Sequence, residues 1–143
     1  MGEWPQGTWK LVAWRRVSED GTTSYPLGKD ATGQLIYTPN GVMAVQIAAA
    51  GRPELPTGDP LGGEAEARAA AYSTYLAYFG TYEVTAGTIV HHVDQCLFPN
   101  WSGDVQTRPF SREDGQLILR TPPMRVADGT TVVNELAWEP SGH

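Results

Sequence analysis

Residues 91–101, His-His-Val-Asp-Gln-Cys-Leu-Phe-Pro-Asn-Trp, gather two adjacent histidines, an aspartate and the lone cysteine within six positions. Three chemistries suit such a run: metal ligation, a Cys–His nucleophile, or one polar wall of a container for a small molecule. In a strand, side chains alternate, so His92, Asp94 and Cys96 share one face and His91, Val93, Gln95 and Leu97 the other. Zinc wants four protein ligands in a structural site and three plus water in a catalytic one. Beyond this strand the sequence offers only His143 and no second cysteine. No metal is expected. His92 and Cys96 share a face, but four strand residues span roughly 13 Å at ~3.3 Å each, too far to touch. The thiol reads instead as a small core hydrophobe. No Gly-x-Ser-x-Gly, phosphate loop or dinucleotide fingerprint occurs, and no cofactor is expected. The container remains.

A container needs walls, and the turn signals supply them. Asp20-Gly21, Asn40-Gly41, Asp114-Gly115 and Asp128-Gly129 offer the positive-φ residues of tight hairpins, and Thr85-Ala86-Gly87 suits a fifth turn. Between them lie eight β-rich runs, about 7–17, 33–38, 41–48, 79–86, 88–98, 105–112, 115–121 and 131–139. Eight antiparallel strands with short connections predict an all-β, closed up-and-down barrel, which leaves no open edge and has room for one small ligand. One segment departs from this pattern. After the proline-rich loop 51–63, the stretch Glu-Ala-Glu-Ala-Arg-Ala-Ala-Ala-Tyr predicts a helix near 63–78, between the third and fourth strands, with Gly80 near its end. Tyr72, Tyr75, Leu76 and Phe79 recur at helical spacing. They suggest a helix laid across one barrel mouth as a plug or lid, against the alternative of a helix packed on the outer wall.

Composition limits the partners. A chain of 143 residues suits a single domain, residues 1–143, large enough to bury a core. Charged residues make up 18%, while Gly and Pro supply 16 and 11 positions, a balance that fits short strands and many turns. The net charge of −6, with no Lys/Arg cluster, argues against nucleic acid. A single cysteine excludes an intramolecular disulfide. The uncharged run 31–51 is broken by Gly33, Pro39, Asn40 and Gly41, so it does not span a bilayer. With no basic and apolar leader at its start, the chain is expected in the cytoplasm, as a monomer or a homodimer.

Several motifs then combine: Gly7-Thr8-Trp9 opening the first strand, Tyr-Pro-Leu-Gly at 25–28, residues 33–46, 75–84 and 91–101, and Leu-Ile-Leu-Arg-Thr-Pro-Pro at 117–123. Over nearly its full length the chain resembles the bacterial and fungal lipocalin-like domain proteins. The resemblance implies an eight-stranded calycin-type barrel with an interior cavity, in a family with members in natural-product pathways. It also implies that an Arg–Trp pair closes the barrel base, a role open to Arg120 and Trp9. The absent disulfide pair and the mid-chain helix differ from secreted lipocalins.

The expected ligand-binding set is Tyr37, Tyr75, Tyr82, His91, His92, Asn100, Trp101, Arg108 and Arg120. Pleat parity sends His91 and His92 to opposite faces, so only one of these two catalytic candidates can line the interior. Gln106, Arg108 and Phe110 share a face, and an inward Arg108 suits a carboxylate or enolate. Tyr75 is expected from the helix, and Trp101 at a cavity rim. The function expected is a cytoplasmic binding barrel for a small hydrophobic or amphipathic ligand. The alternative is a cofactor-free cyclase or isomerase of polyketide- or terpene-type metabolism. In it, a histidine moves protons and a shaped cavity folds the substrate.

Overall fold

The computed structural model describes residues 4–141. Its strands are β1 (Gly7–Ser18), β2 (Thr23–Ser24), β3 (Thr32–Tyr37), β4 (Val42–Ala48), β5 (Tyr75–Thr85), β6 (Thr88–Cys96), β7 (Val105–Glu113), β8 (Gln116–Arg120), β9 (Met124–Arg125) and β10 (Thr131–Pro140). All pair antiparallel, in the order β2-β1-β3-β4-β5-β6-β7-β8-β10-β9. The sheet closes because β1 also pairs with β10, from Trp9 against Pro140 to Ser18 against Val132. Eight long strands form the barrel, while β2 and β9 are two-residue ribbons on β1 and β10. The all-β, eight-stranded barrel expected from the turn spacing is the fold observed. The Asp-Gly and Asn-Gly pairs all lie between paired strands; at the β7–β8 turn both Asp114 and Gly115 take positive φ.

Alternation builds the core. Leu35 and Tyr37 of β3, Met43, Val45 and Ile47 of β4, Ile89, His91 and Val93 of β6, and Leu117 and Leu119 of β8 are all buried. Two bulges break the pleat. In β1 the register shifts between Leu11 and Ala13, so Trp9 and Leu11 face inward below the shift and Trp14 and Arg16 line the interior above it. Between β5 and β6 the register shifts after Phe79, so Tyr78 pairs with Cys96 but Gly80 pairs with Val93. The unpaired Asp94 flips the parity of the strand end. Cys96 therefore packs partly against the core instead of sharing a face with His92 and Asp94. Burial pushes its thiol pKa up, as for an inert cysteine.

The helix is shorter than expected. α1 (Ala65–Ser73) buries none of its residues, and β5 begins at Tyr75. Tyr75, Leu76 and Phe79 thus belong to a strand, and Gly80 lies within it rather than beside the helix end. In 75–84 the period-2 set Leu76, Tyr78, Gly80 and Tyr82 outcompetes the period-3.6 set. Pairing with β4 from Tyr75 opposite Ala48 to Thr81 opposite Val42 satisfies the backbone that a longer helix would have had to bond internally. The helix end is tied down by Arg52, which donates to the Ala71 carbonyl and to Thr74 Oγ1 and lies 5.1 Å from the Tyr75 ring centre. No helix among the described residues is long and apolar enough to cross a membrane.

The barrel base is closed by aromatics. Trp9 donates its indole N–H to the Pro5 carbonyl at 2.8 Å, and Trp4 packs edge-on to Trp9 and 5.0 Å from Phe110. The arginine stacked there is Arg112, 4.5 Å over Trp4. Arg120 does not fill that role. It bonds Glu135 at 3.1 Å and Ser111 at 3.0 Å and pairs with Glu113, because its pleat position faces outward.

Gly80 is where this packing is least forgiving. A Cβ there would meet the His92 carbonyl oxygen at 1.9 Å, against backbone that cannot turn aside. Gly80→Ala is expected to cost about 1–3 kcal/mol in urea unfolding, the range for overpacking. Gly58→Ala, where a Cβ meets nothing within 4 Å, should stay within about 0.5 kcal/mol.

Candidate functional site: a hollow with a polar floor

Above the aromatic base the interior is not filled. A hollow of about 240 Å³ lies between Leu35, Val45, Ile47, Leu119, Leu136 and Trp138 on its apolar walls. Leu76, Phe98, Trp101, Met124 and Arg16 ring its upper part. Three polar groups reach it lower down: His91, Tyr78 and Arg108. No carboxylate is among its lining residues. The indole N–H of Trp138 is buried in this wall without a partner among the described residues.

The floor is a chain of rings. His91, 1% exposed, sits between two phenols: Tyr37 Oη lies 2.6 Å from its Nε2 and Tyr78 Oη lies 2.6 Å from its Nδ1. Tyr82 packs on Tyr37 at 4.6 Å between ring centres and donates its hydroxyl to the Thr38 carbonyl at 2.7 Å. Register explains the meeting. Tyr82 pairs with His91 across β5–β6, His91 pairs with Gln106 across β6–β7, and Arg108 stands two residues further along the same face. Arg108 is only 7% exposed. It donates to the Thr107 carbonyl at 3.1 Å and to Gln106 Oε1 at 3.3 Å and lies 5.8 Å from the Trp101 ring centre. Among the described residues no carboxylate pairs with it.

Burial sets the protonation. Desolvation first, then the Arg108 charge and then His92, lowers the His91 pKa to about 3, so the ring is neutral near pH 7. Burial likewise holds both phenols in their protonated form: Tyr37 is raised well above its ordinary value, and Tyr78 is raised although Arg108 opposes the shift. The floor is thus a neutral hydrogen-bonded chain beside one buried cation.

The expected site residues separate into three groups. His91, Trp101 and Arg108 line the hollow. Tyr37 and Tyr82 lie beneath its floor and support it. Tyr75, His92, Asn100 and Arg120 lie outside its lining. Tyr75 begins β5 at the rim, where it borders a shallow depression with Tyr72 and Phe98. His92 points outward and pairs with Glu83 at 3.7 Å, because the pleat gives the interior to its neighbour. Asn100 is exposed on the 3-10 turn Pro99–Trp101, which turns only Trp101 inward. No helix residue lines the hollow, but Tyr72 and Ser73 of α1 border the adjoining depression, which shares Trp14, Arg16, Leu76 and Phe98 with it. His143 lies outside the described residues. Among the described residues, no group of three His, Cys, Asp or Glu side chains is placed to hold a metal.

Tyr78 and Arg16 were absent from the expected set. Alternation through Leu76, Tyr78, Gly80 and Tyr82 is the signal that would have found Tyr78, once the strand is started at residue 75. Arg16 turns inward only because of the β1 bulge, and its Nε then bonds Asn134 Oδ1 at 3.0 Å, an acceptor shared with the Trp14 indole at 2.8 Å.

The buried imidazole links stability to pH. Unfolded, His91 takes up a proton below about 6.5; folded, it does so only near 3. The unfolded state therefore binds more protons across that window, and stability rises with pH within it. Going from pH 7 to pH 5 should cost about 2 kcal/mol in urea unfolding. In His91→Gln this dependence should largely vanish.

The 4'-hydroxy-3'-methoxypropiophenone carrier protein of Aspergillus oryzae is 29% identical over 104 residues, covering 67% of this chain and 94% of the relative. The crystal structure of a mutant of the fluorescent protein UnaG aligns over 97% of both chains with 13% identity and a TM-score of 0.40. The model of the lipocalin-like domain matches residues 6–140, from just before β1 to the last residue of β10. With that match running the length of the barrel, the chain belongs to the lipocalin-like domain family.

Proposed function

We propose that this protein is a binding barrel that carries a small, largely apolar molecule in its interior. The observation that carries the reading is the hollow itself. Its wall is mostly apolar with a few placed polar groups, and His91, Tyr78 and Arg108 gather at its deep end, as ligand sites generally arrange them. Three tryptophans, Trp14, Trp101 and Trp138, line it and offer broad flat surface for a planar guest. The carrier relative is named for 4'-hydroxy-3'-methoxypropiophenone, a substituted aromatic ketone, and a molecule of that kind matches a hollow with aromatic walls and a polar floor. The lone free cysteine suits the reducing cytoplasm, where we place its work.

A second reading, a cofactor-free cyclase or isomerase, draws on one observation. The neutral His91 stands between two phenols, one of which borders the hollow, and such a chain can pass a proton to or from a bound molecule. Confinement would supply the rest by holding a flexible substrate folded. Carrier and enzyme share the hollow and differ in turnover.

Native mass spectrometry of the purified protein should show one small molecule retained per chain. The three lining tryptophans should report titration with 4'-hydroxy-3'-methoxypropiophenone as saturable quenching. Leu136→Trp, which fills the hollow from β10, should weaken binding at least tenfold with the melting temperature nearly unchanged. His92→Ala, on the outer wall, should leave affinity unchanged. An empty barrel that neither retains nor binds any apolar molecule would rule out the carrier. Conversion of the bound molecule, lost in Tyr78→Phe, would select the enzyme.

A further inference from the structure

The hydrogen-bond chain in the floor has a direction, and the direction selects a ligand. The Tyr37 hydroxyl is fully buried, and His91 Nε2 is its one hydrogen-bond partner among the described residues. A buried O–H that donates to nothing is costly, so Tyr37 donates and Nε2 accepts. A neutral imidazole carries one proton, which must then lie on Nδ1. Nδ1–H donates to Tyr78 Oη. In the reverse arrangement Nε2–H would donate to Tyr37, and the Tyr37 proton would have no acceptor in the core. With its oxygen already receiving from His91, Tyr78 has its own proton left to give. Its other neighbours are Arg108, whose guanidinium only donates, and Cys96, whose sulfur is only a weak acceptor. The Tyr78 hydroxyl therefore presents a donor to the hollow.

Charge points the same way. Arg108 is buried beside Tyr78 with neutral acceptors only and no carboxylate partner among the described residues. A guest without charge would seal this cation in an apolar interior uncompensated, which is costly. An anion would relieve that cost and would accept from both donors at once.

We propose that the deep end of the hollow recognises its guest through an anionic oxygen, held by the Tyr78 hydroxyl and the Arg108 guanidinium, with Tyr37 and His91 as positioning residues that fix Tyr78 as a donor. This rests on the container reading and names the class of molecule contained: a planar, mostly apolar acid, bound as its conjugate base.

The test uses trans-cinnamate and trans-cinnamamide, nearly the same shape with and without the negative oxygen, titrated by tryptophan quenching near pH 7. Cinnamate should bind at least tenfold more tightly. Arg108→Met should bring the ratio close to one while the amide keeps its affinity, and Arg108→Lys should retain most of the preference. Tyr37→Phe changes a residue outside the lining. It should still narrow the ratio several-fold, because Tyr78 is then free to turn its proton toward His91, a readout that a merely structural role would not move. Nitrogen-15 spectra of the wild-type imidazole should place the proton on Nδ1. Equal or tighter binding of the amide by the wild-type protein, or a proton on Nε2, would overturn the inference while leaving the container standing. Failure of both probes, together with an empty barrel in native mass spectrometry, would remove the container itself.

Discussion

Closure of the sheet is the constraint on which the rest depends. β1 pairs with β3 over its first residues and with β10 along nearly its whole length, so the first and last long strands meet and no barrel edge is left open. A closed antiparallel barrel of eight strands has a fixed diameter, wide enough to hold side chains or one small guest. Every inward residue is then committed to a shared interior. At the base, aromatics fill that interior: Trp4, Trp9 and Phe110 pack there, and Tyr37 packs on Tyr82. Higher up, aliphatic and aromatic side chains line the wall and leave a space between them. The hollow is what the closure leaves.

Within that apolar wall, the polar groups are placed at a cost that packing alone does not explain. A histidine and an arginine, both more than nine-tenths buried, sit on adjacent strands. His91 meets its cost with two phenols, which satisfy both ring nitrogens and hold it neutral. Arg108 meets its cost only in part, through a main-chain carbonyl, a glutamine and the face of Trp101. The contrast with the outer wall is informative. There, Arg15 and Arg120 share Glu135, and Arg120 also reaches Glu113. Acidic side chains are available to this sheet, and none lines the hollow.

The two bulges show how small backbone irregularities shape the site. The β1 bulge brings Trp14 and Arg16 inward in the strand's upper half, and both become hollow-lining residues. The β6 bulge turns Cys96 toward the core beside Tyr78, and Gly80 allows the His92 carbonyl to approach where any side chain would block it. Upper wall and floor are therefore set by these two offsets as much as by residue types.

The sequence by itself determined the architecture. Turn pairs such as Asp114-Gly115 and the alternation in runs such as 33–37 and 88–93 are local properties, and local chemistry fixes turns and pleats. It also determined that the two adjacent histidines face opposite ways and that Arg108 shares a face with Phe110, since parity holds wherever a strand is regular. Which histidine faces inward depended on the register of β6 against β5 and β7, a long-range property. The 75–79 segment fits both helical and strand periods, and only pairing with β4 settled it. Arg16 and Cys96 face inward because bulges reversed the parity that the sequence suggests. Arg120 turned to Glu135 rather than to Trp9 because its pleat faces solvent. Above all, the meeting of Tyr37, Tyr78 and His91 joins three strands at separations of 54 and 13 residues, so only the closed barrel could bring the two phenols onto one imidazole.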